Sequence, residues 1–118
     1  MKAYTDKEQS KKLEEILPIE SADMFLAING TFPVMSKYID DGFVTGDDTA
    51  IPCWSLAALL GVLPKKIGRH TKTLYWFDDA WHCEYVDEDS EGKYGVTADN
   101  PVDACVEMIE KIHVLNLL

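Results

Sequence analysis

Thr73-Leu74-Tyr75-Trp76-Phe77, then Asp78-Asp79-Ala80, then Trp81-His82-Cys83-Glu84-Tyr85-Val86: the reading of this stretch decides the fold. The first segment is rich in β-branched and aromatic residues and predicts a strand. The acidic pair with Ala80 predicts a short turn. The return strand carries Trp81, Cys83 and Tyr85 on one face and His82, Glu84 and Val86 on the other, because side chains alternate along a strand. In the first strand both faces are apolar, Leu74 with Trp76 on one and Tyr75 with Phe77 on the other. That pattern predicts a central strand covered on both sides. Asp87 to Gly92 forms an acidic turn, and Lys93 to Thr97 a third strand of the meander.

Beyond this meander lies the most strongly patterned helix. Asn100 suits an N-cap and Pro101 the first helical position, where its missing N–H costs nothing. Asp103 and Glu107 lie toward the positive end of the helix dipole, Lys111 and His113 toward the negative end. Val102, Cys105, Val106, Ile109 and Ile112 form the apolar stripe that docks on the sheet.

Upstream, Thr5-Asp6-Lys7-Glu8 has the Thr-x-x-Glu form of a capping box, which predicts a helix from there to Leu17, stopped by Pro18. Met24 to Ile28 predicts a strand. Asn29-Gly30 is a hairpin turn, since both central positions of a type I′ turn need φ > 0. The return strand is Thr31 to Ile39, where Pro33 cannot donate to a ladder and so indicates a sheet edge. Asp40 to Thr49 is a loop. Pro52 to Leu63 reads as a helix, apolar around most of its cylinder and covering the sheet, and ended by Pro64. The expected class is α+β: an antiparallel sheet with helices packed on it, an α-β-α sandwich being one arrangement, in the order α-β-β-α-β-β-β-α and one domain over residues 1–118.

Two stretches carry a resemblance. They are Ile51-Pro52-Cys53-Trp54-Ser55-Leu56-Ala57-Ala58-Leu59-Leu60 and Ala98-Asp99-Asn100-Pro101-Val102-Asp103-Ala104-Cys105-Val106-Glu107-Met108-Ile109, with the aromatic hairpin Leu74 to Tyr85 between them. The chain resembles a group of short uncharacterised proteins encoded in gut bacteria and their phages. More loosely it is similar to the phage ABA sandwich domain. The resemblance implies a sheet between helices and a phage or mobile-element setting. It carries no catalytic or binding residue.

The chain has 118 residues, 21 acidic against 11 basic, for a formal net charge of −10. A chain of this length forms a core without disulfide or metal staples. Its charge repels a nucleic-acid backbone and an anionic membrane surface, so neither partner is expected. Pro64 to Thr71, with Lys72, is the single basic cluster. Cys53, Cys83 and Cys105 lack paired spacing and read as buried thiols. The polar start has no secretory pattern and no stretch is long and apolar enough to span a bilayer, so the expected location is cytoplasmic.

Candidate chemistry is sparse. Asp87-x-Asp89-x-Glu91-Gly92 has the form of a calcium-loop start, but the twelfth position, where a bidentate Glu belongs, is Ala98. His70, His82 and His113 show no zinc-site spacing. Glu84 and Asp87 are expected to raise the Cys83 thiol, while Cys53 sits near a predicted helix start. No nucleophile, base and orienter assemble from the motifs, which points away from an enzyme and needs no cofactor or metal. The opposing reading is a metal-dependent hydrolase or nuclease using the loop carboxylates Asp40, Asp41, Asp47 and Asp48. The reading that charge favours is an accessory interaction module of a phage or mobile element. Its acidic end, Asp78, Asp79, Asp87, Glu88, Asp89 and Glu91, would engage a basic protein surface.

Overall fold

Antiparallel pairing organises the chain around two sheets. A computed structural model describes residues 2–27, 33–35, 50–89 and 92–118. The α+β class with antiparallel sheets is as expected, but among the described residues the single sheet anticipated from sequence is replaced by two: one of three strands and one of four. The chain divides into two compact units, Ala3–Ala58 and Met1–Lys2 with Leu59–Leu118.

In the first unit, α1 spans Lys7–Glu14 and a 3-10 turn spans Ile19–Ser21. Strands β1 (Met24–Ala27), β2 (Pro33–Met35) and β3 (Ala50–Cys53) form the sheet in the order β2-β1-β3. The capping box sits one residue later than the sequence pattern suggested. Asp6 accepts from the Gln9 backbone N–H at 2.8 Å, and the Gln9 side chain accepts from the Asp6 N–H at 3.1 Å. Thr5 is fully buried instead, and shares a hydrogen bond of 2.8 Å with Ser10. Its hydroxyl also accepts the Trp54 N–H at 3.1 Å, so it is unavailable to cap a helix.

Pro52 does not start a helix. It lies in β3 opposite Phe25, at the edge of the sheet, where a strand tolerates a residue without an N–H. Pro33 behaves likewise: it begins β2, the other edge among the described residues. The Asn29-Gly30 turn expected between β1 and β2 lies outside the described residues, as does the loop with Asp40, Asp41, Asp47 and Asp48. Helix α2 spans Leu56–Val62, and Ser55 caps it by accepting the Ala58 N–H at 3.2 Å. Ser55 in turn donates its hydroxyl to Asp23, which also accepts the Ser55 N–H at 2.9 Å. The division between units falls within this helix. It is shorter and less buried than its composition suggested, with Leu59 its one fully buried residue.

The second unit holds β4 (Lys66–Ile67), β5 (His70–Phe77), β6 (Ala80–Val86), β7 (Gly92–Ala98) and α3 (Pro101–Val114). The sheet order is β4-β5-β6-β7. Asp78 and Asp79 have φ of 52° and 59°, the left-handed pair that a two-residue hairpin needs and that Asp tolerates.

β5 and β6 are the two inner strands, but only β6 is flanked along its whole length. β4 is only two residues long and pairs with His70 and Thr71; Gly68, with φ of 62°, makes the tight turn between them. The Lys72 N–H still reaches the Lys65 carbonyl at 3.0 Å, but the next position that would face β5 is Leu63, whose N–H is spent on the Leu59 carbonyl at 3.1 Å. The ladder stops there, and Leu74–Phe77 has a strand neighbour on one side only among the described residues.

Helix α3 packs on β6 and β7. Cys83 and Tyr85 point into this interface and are fully buried, as are Val102, Cys105, Ile109 and Ile112, while Val106 is nearly so. The predicted stripe is therefore the docking face, widened by Ala104 and Met108. Asn100 caps the helix, accepting the Asp103 N–H at 2.8 Å, and Lys2 donates to the Asp103 carboxylate at 2.9 Å. The Lys72 ammonium donates to the carbonyls of Leu60 and Leu63 at 2.5 and 3.2 Å, satisfying groups at the end of α2. The other face of the sheet carries Thr71, Tyr75 and Phe77, all exposed, so helix cover lies on a single face there.

Glu107 gives this unit a pH dependence. Partial burial, then the charges of Asp103 and Glu110, raise its carboxyl above the usual range. The folded state thus holds this proton more tightly than the unfolded chain. The contribution favours folding below the unfolded value and is lost as pH rises through the folded one. Glu107→Gln is expected to melt above the wild type at neutral pH, with the gap closing on acidification to about pH 4. Thermal melts of both proteins against pH check this; a gap that is constant with pH would refute it.

Candidate interaction surface

Five of the six carboxylates expected to form one acidic end are described, and they are not together. Asp78 and Asp79 lie at the β5–β6 turn, and Asp87, Glu88 and Asp89 follow the far end of β6. The seven residues of β6 separate the two groups by roughly 20–25 Å at the rise of a strand. Adjacency in sequence concealed this, because a hairpin sends successive turns to opposite ends of a sheet. Glu91 lies outside the described residues.

At the β6–β7 end, Asp87 is a structural carboxylate. Its side chain is 5% exposed, it accepts from Arg69 at 3.1 Å, and it accepts the Asp89 N–H at 3.0 Å. Arg69, Asp87, Glu88 and Asp89 line a cleft of about 180 Å³. That is below the ~300–1,000 Å³ of small-molecule sites. The basic cluster from Lys65 to Lys72 is thus partly neutralised within the fold, by Asp87 on Arg69, and partly turned inward, by Lys72.

The β5–β6 end combines charge with apolar surface. Asp78, Asp79 and Asp99 are exposed, and Trp81 pairs with Ala98, which places Asp99 at the same end of the sheet. Beside them Trp76 is 53% and Phe77 65% exposed. Trp76 meets Trp81 edge-on at 5.9 Å on the α3 side of the sheet. On the open face Tyr75 stacks on His82, ring centroids 5.0 Å apart, and Phe77 leans on the same imidazole at 6.1 Å. The His82 Nε2 lies 3.0 Å from the Phe77 carbonyl oxygen, which holds the ring across the strand pair. Tyr75 donates its hydroxyl to Glu84, and that bond is the main reason its phenol is harder to ionise than usual.

Sequence reading missed Trp76, Phe77 and Tyr75 as surface residues. An aromatic strand with two apolar faces has the same composition whether it is buried at the centre of a sheet or exposed at its margin. The one available signal was the predicted helix running to Leu63, which leaves few residues for a strand before His70.

The thiols are enclosed. Cys53 is on β3 rather than at a helix start, is fully buried, and donates to the Thr5 carbonyl at 3.3 Å. Burial pushes its thiol up. Cys83 departs from the sequence expectation. The hydrogen bond from the Cys105 thiol lowers it and outweighs burial and Glu84, and Cys105 is correspondingly raised. Both sulfurs are inaccessible to a substrate. Among the described residues no three His, Cys, Asp or Glu side chains are arranged to hold a metal, and no helix is long and apolar enough to cross a membrane.

The site therefore defines an α+β protein with a carboxylate-rimmed aromatic surface. Comparison with family models, curated proteins and solved structures finds no match.

Proposed function

We propose that this chain is an accessory interaction module that binds a basic protein surface through the β5–β6 end of its sheet. The observation that carries the reading is the juxtaposition of Asp78, Asp79 and Asp99 with the exposed rings of Trp76 and Phe77. Carboxylates beside open aromatic faces suit Lys and Arg, which pair with the former and lie over the latter. A net charge of −10 speeds encounter with a cationic partner and disfavours nucleic acid. The resemblance carried by Ile51–Leu60, Ala98–Ile109 and the aromatic hairpin supports a phage or mobile-element setting. A cytoplasmic site of action fits the reduced, buried thiols.

Capture from a bacterial lysate at low and high salt tests this, with Asp78→Asn, Asp79→Asn and Asp99→Asn combined as the comparison. Asn keeps the left-handed turn accessible while removing charge. A captured partner should be basic, lost with added salt, and reduced at least about tenfold by the triple variant, the scale of one to two charge pairs. Capture that is indifferent to both salt and the substitutions would sink the proposal.

A further inference from the structure

We propose that the chain forms a two-fold symmetric dimer in which the open edge of β5, Thr73–Phe77, pairs antiparallel with the same edge of a second copy, Leu74 opposite Trp76. The backbone sets this register. Lys72 directs its N–H outward to Lys65. Alternation along the strand then points the N–H and C=O groups of Leu74 and Trp76 the same way, past the end of β4. Thr71, Thr73, Tyr75 and Phe77 bond inward to β6, as the two-residue turn after Phe77 requires. Leu74 and Trp76 thus carry the open donors beyond the end of β4, and one antiparallel register satisfies both residues in both copies: Leu74 with Trp76 and Trp76 with Leu74.

The same register matches the side chains. Leu74 faces Trp76 of the second copy on the α3 side. Tyr75 faces Tyr75, and Thr73 faces Phe77, on the open side. No charge lies between Lys72 and Asp78. The antiparallel sense sets each Asp78 toward the Lys72 end of the other strand, whereas a parallel pairing would set Asp78 beside Asp78. A long apolar strand edge is a template for pairing unless it is blocked. The opposite edge is blocked: on β7 the Lys111 ammonium donates to the Gly95 carbonyl at 3.1 Å and Lys93 is exposed. On β5 no such guard stands among the described residues, and Trp76 and Phe77 remain exposed. The interface is self-complementary, as a two-fold contact must be.

Sedimentation of the whole chain at about 10–500 μM, the range suited to a small interface, should show a monomer–dimer equilibrium. Salt should strengthen it, because each partner carries a charge of −10. That is opposite in sign to capture of a basic protein, so the two proposals fail separately. Trp76→Pro removes one outward donor at a strand edge, where proline is tolerated, and should weaken the dimer at least about tenfold. Tyr75→Cys should cross-link rapidly on mild oxidation, since residue 75 meets itself at the two-fold as a closely spaced, non-hydrogen-bonded pair. Thr73→Cys and Phe77→Cys should each stay uncross-linked alone and cross-link when mixed. A monomer throughout, a dimer unaffected by Trp76→Pro, or cross-linking of Thr73→Cys to itself as fast as Tyr75→Cys would each overturn the proposal. A foreign strand taken up by a chain that stays monomeric alone would do so too.

Discussion

Trp54→Ala is expected to destabilise the protein by about 3–5 kcal/mol, the cost of deleting a large buried aromatic. Trp54, which follows β3 in the chain, is fully buried, and its backbone is locked to Thr5 in both directions, donating at 3.1 Å and accepting at 2.9 Å. The indole N–H donates to Ser21 Oγ at 3.0 Å, and Ser21 donates onward to the Pro18 carbonyl at 2.6 Å. The indole therefore fills volume and also fixes the 3-10 turn that leads into β1. Alanine leaves a cavity and strips Ser21 of its donor. Domains of this size are stable by roughly 5–15 kcal/mol, so the loss is a large share of the whole. Urea titration followed by far-UV circular dichroism reads the shift in midpoint. A loss under ~1 kcal/mol would mean the ring does not sit in a close-packed core.

Ile109→Ala is expected to cost about 2–5 kcal/mol in the other unit. Ile109 is fully buried on the face of α3 that meets the sheet, flanked one turn away by Cys105 and Ile112 and bordered by Met108, all with no exposed surface. Close packing leaves little room for collapse around the missing carbons, which places the cost toward the upper part of the range. The companion substitution Lys111→Ala, on the exposed side of the helix, serves as the control and should change stability by well under 1 kcal/mol. Chemical denaturation of the two variants side by side checks the face assignment. Similar losses for both would refute it.

The pieces whose physics is local were legible before folding. The closing helix is one: Asn100, Pro101 and the apolar stripe fix its start, length and buried face through interactions within a few residues. The Asp78-Asp79 turn is another, since a two-residue connection between strands demands left-handed residues and Asp accepts that conformation. Pro33 at a sheet edge follows from its missing N–H alone.

Tertiary structure decided where local preference was degenerate. Thr5 and Asp6 are both good helix caps; burial of Thr5 against Cys53 and Trp54 gave the role to Asp6. Pro52 suits a first helical turn or an edge strand equally, and pairing with β1 chose the strand. The aromatics of β5 read as core because composition records hydrophobicity and not neighbours. Whether a strand is central depends on how far the next strand runs, and β4 ends after two residues. The carboxylates fared the same way. Contiguous in sequence from Asp78 to Asp89, they are divided by the length of β6 between opposite ends of the sheet. Charge and hydrophobic pattern are one-dimensional properties. Which charges share a surface, and which apolar residues are left at an open edge, depend on long-range pairing, and that is fixed only when the chain folds.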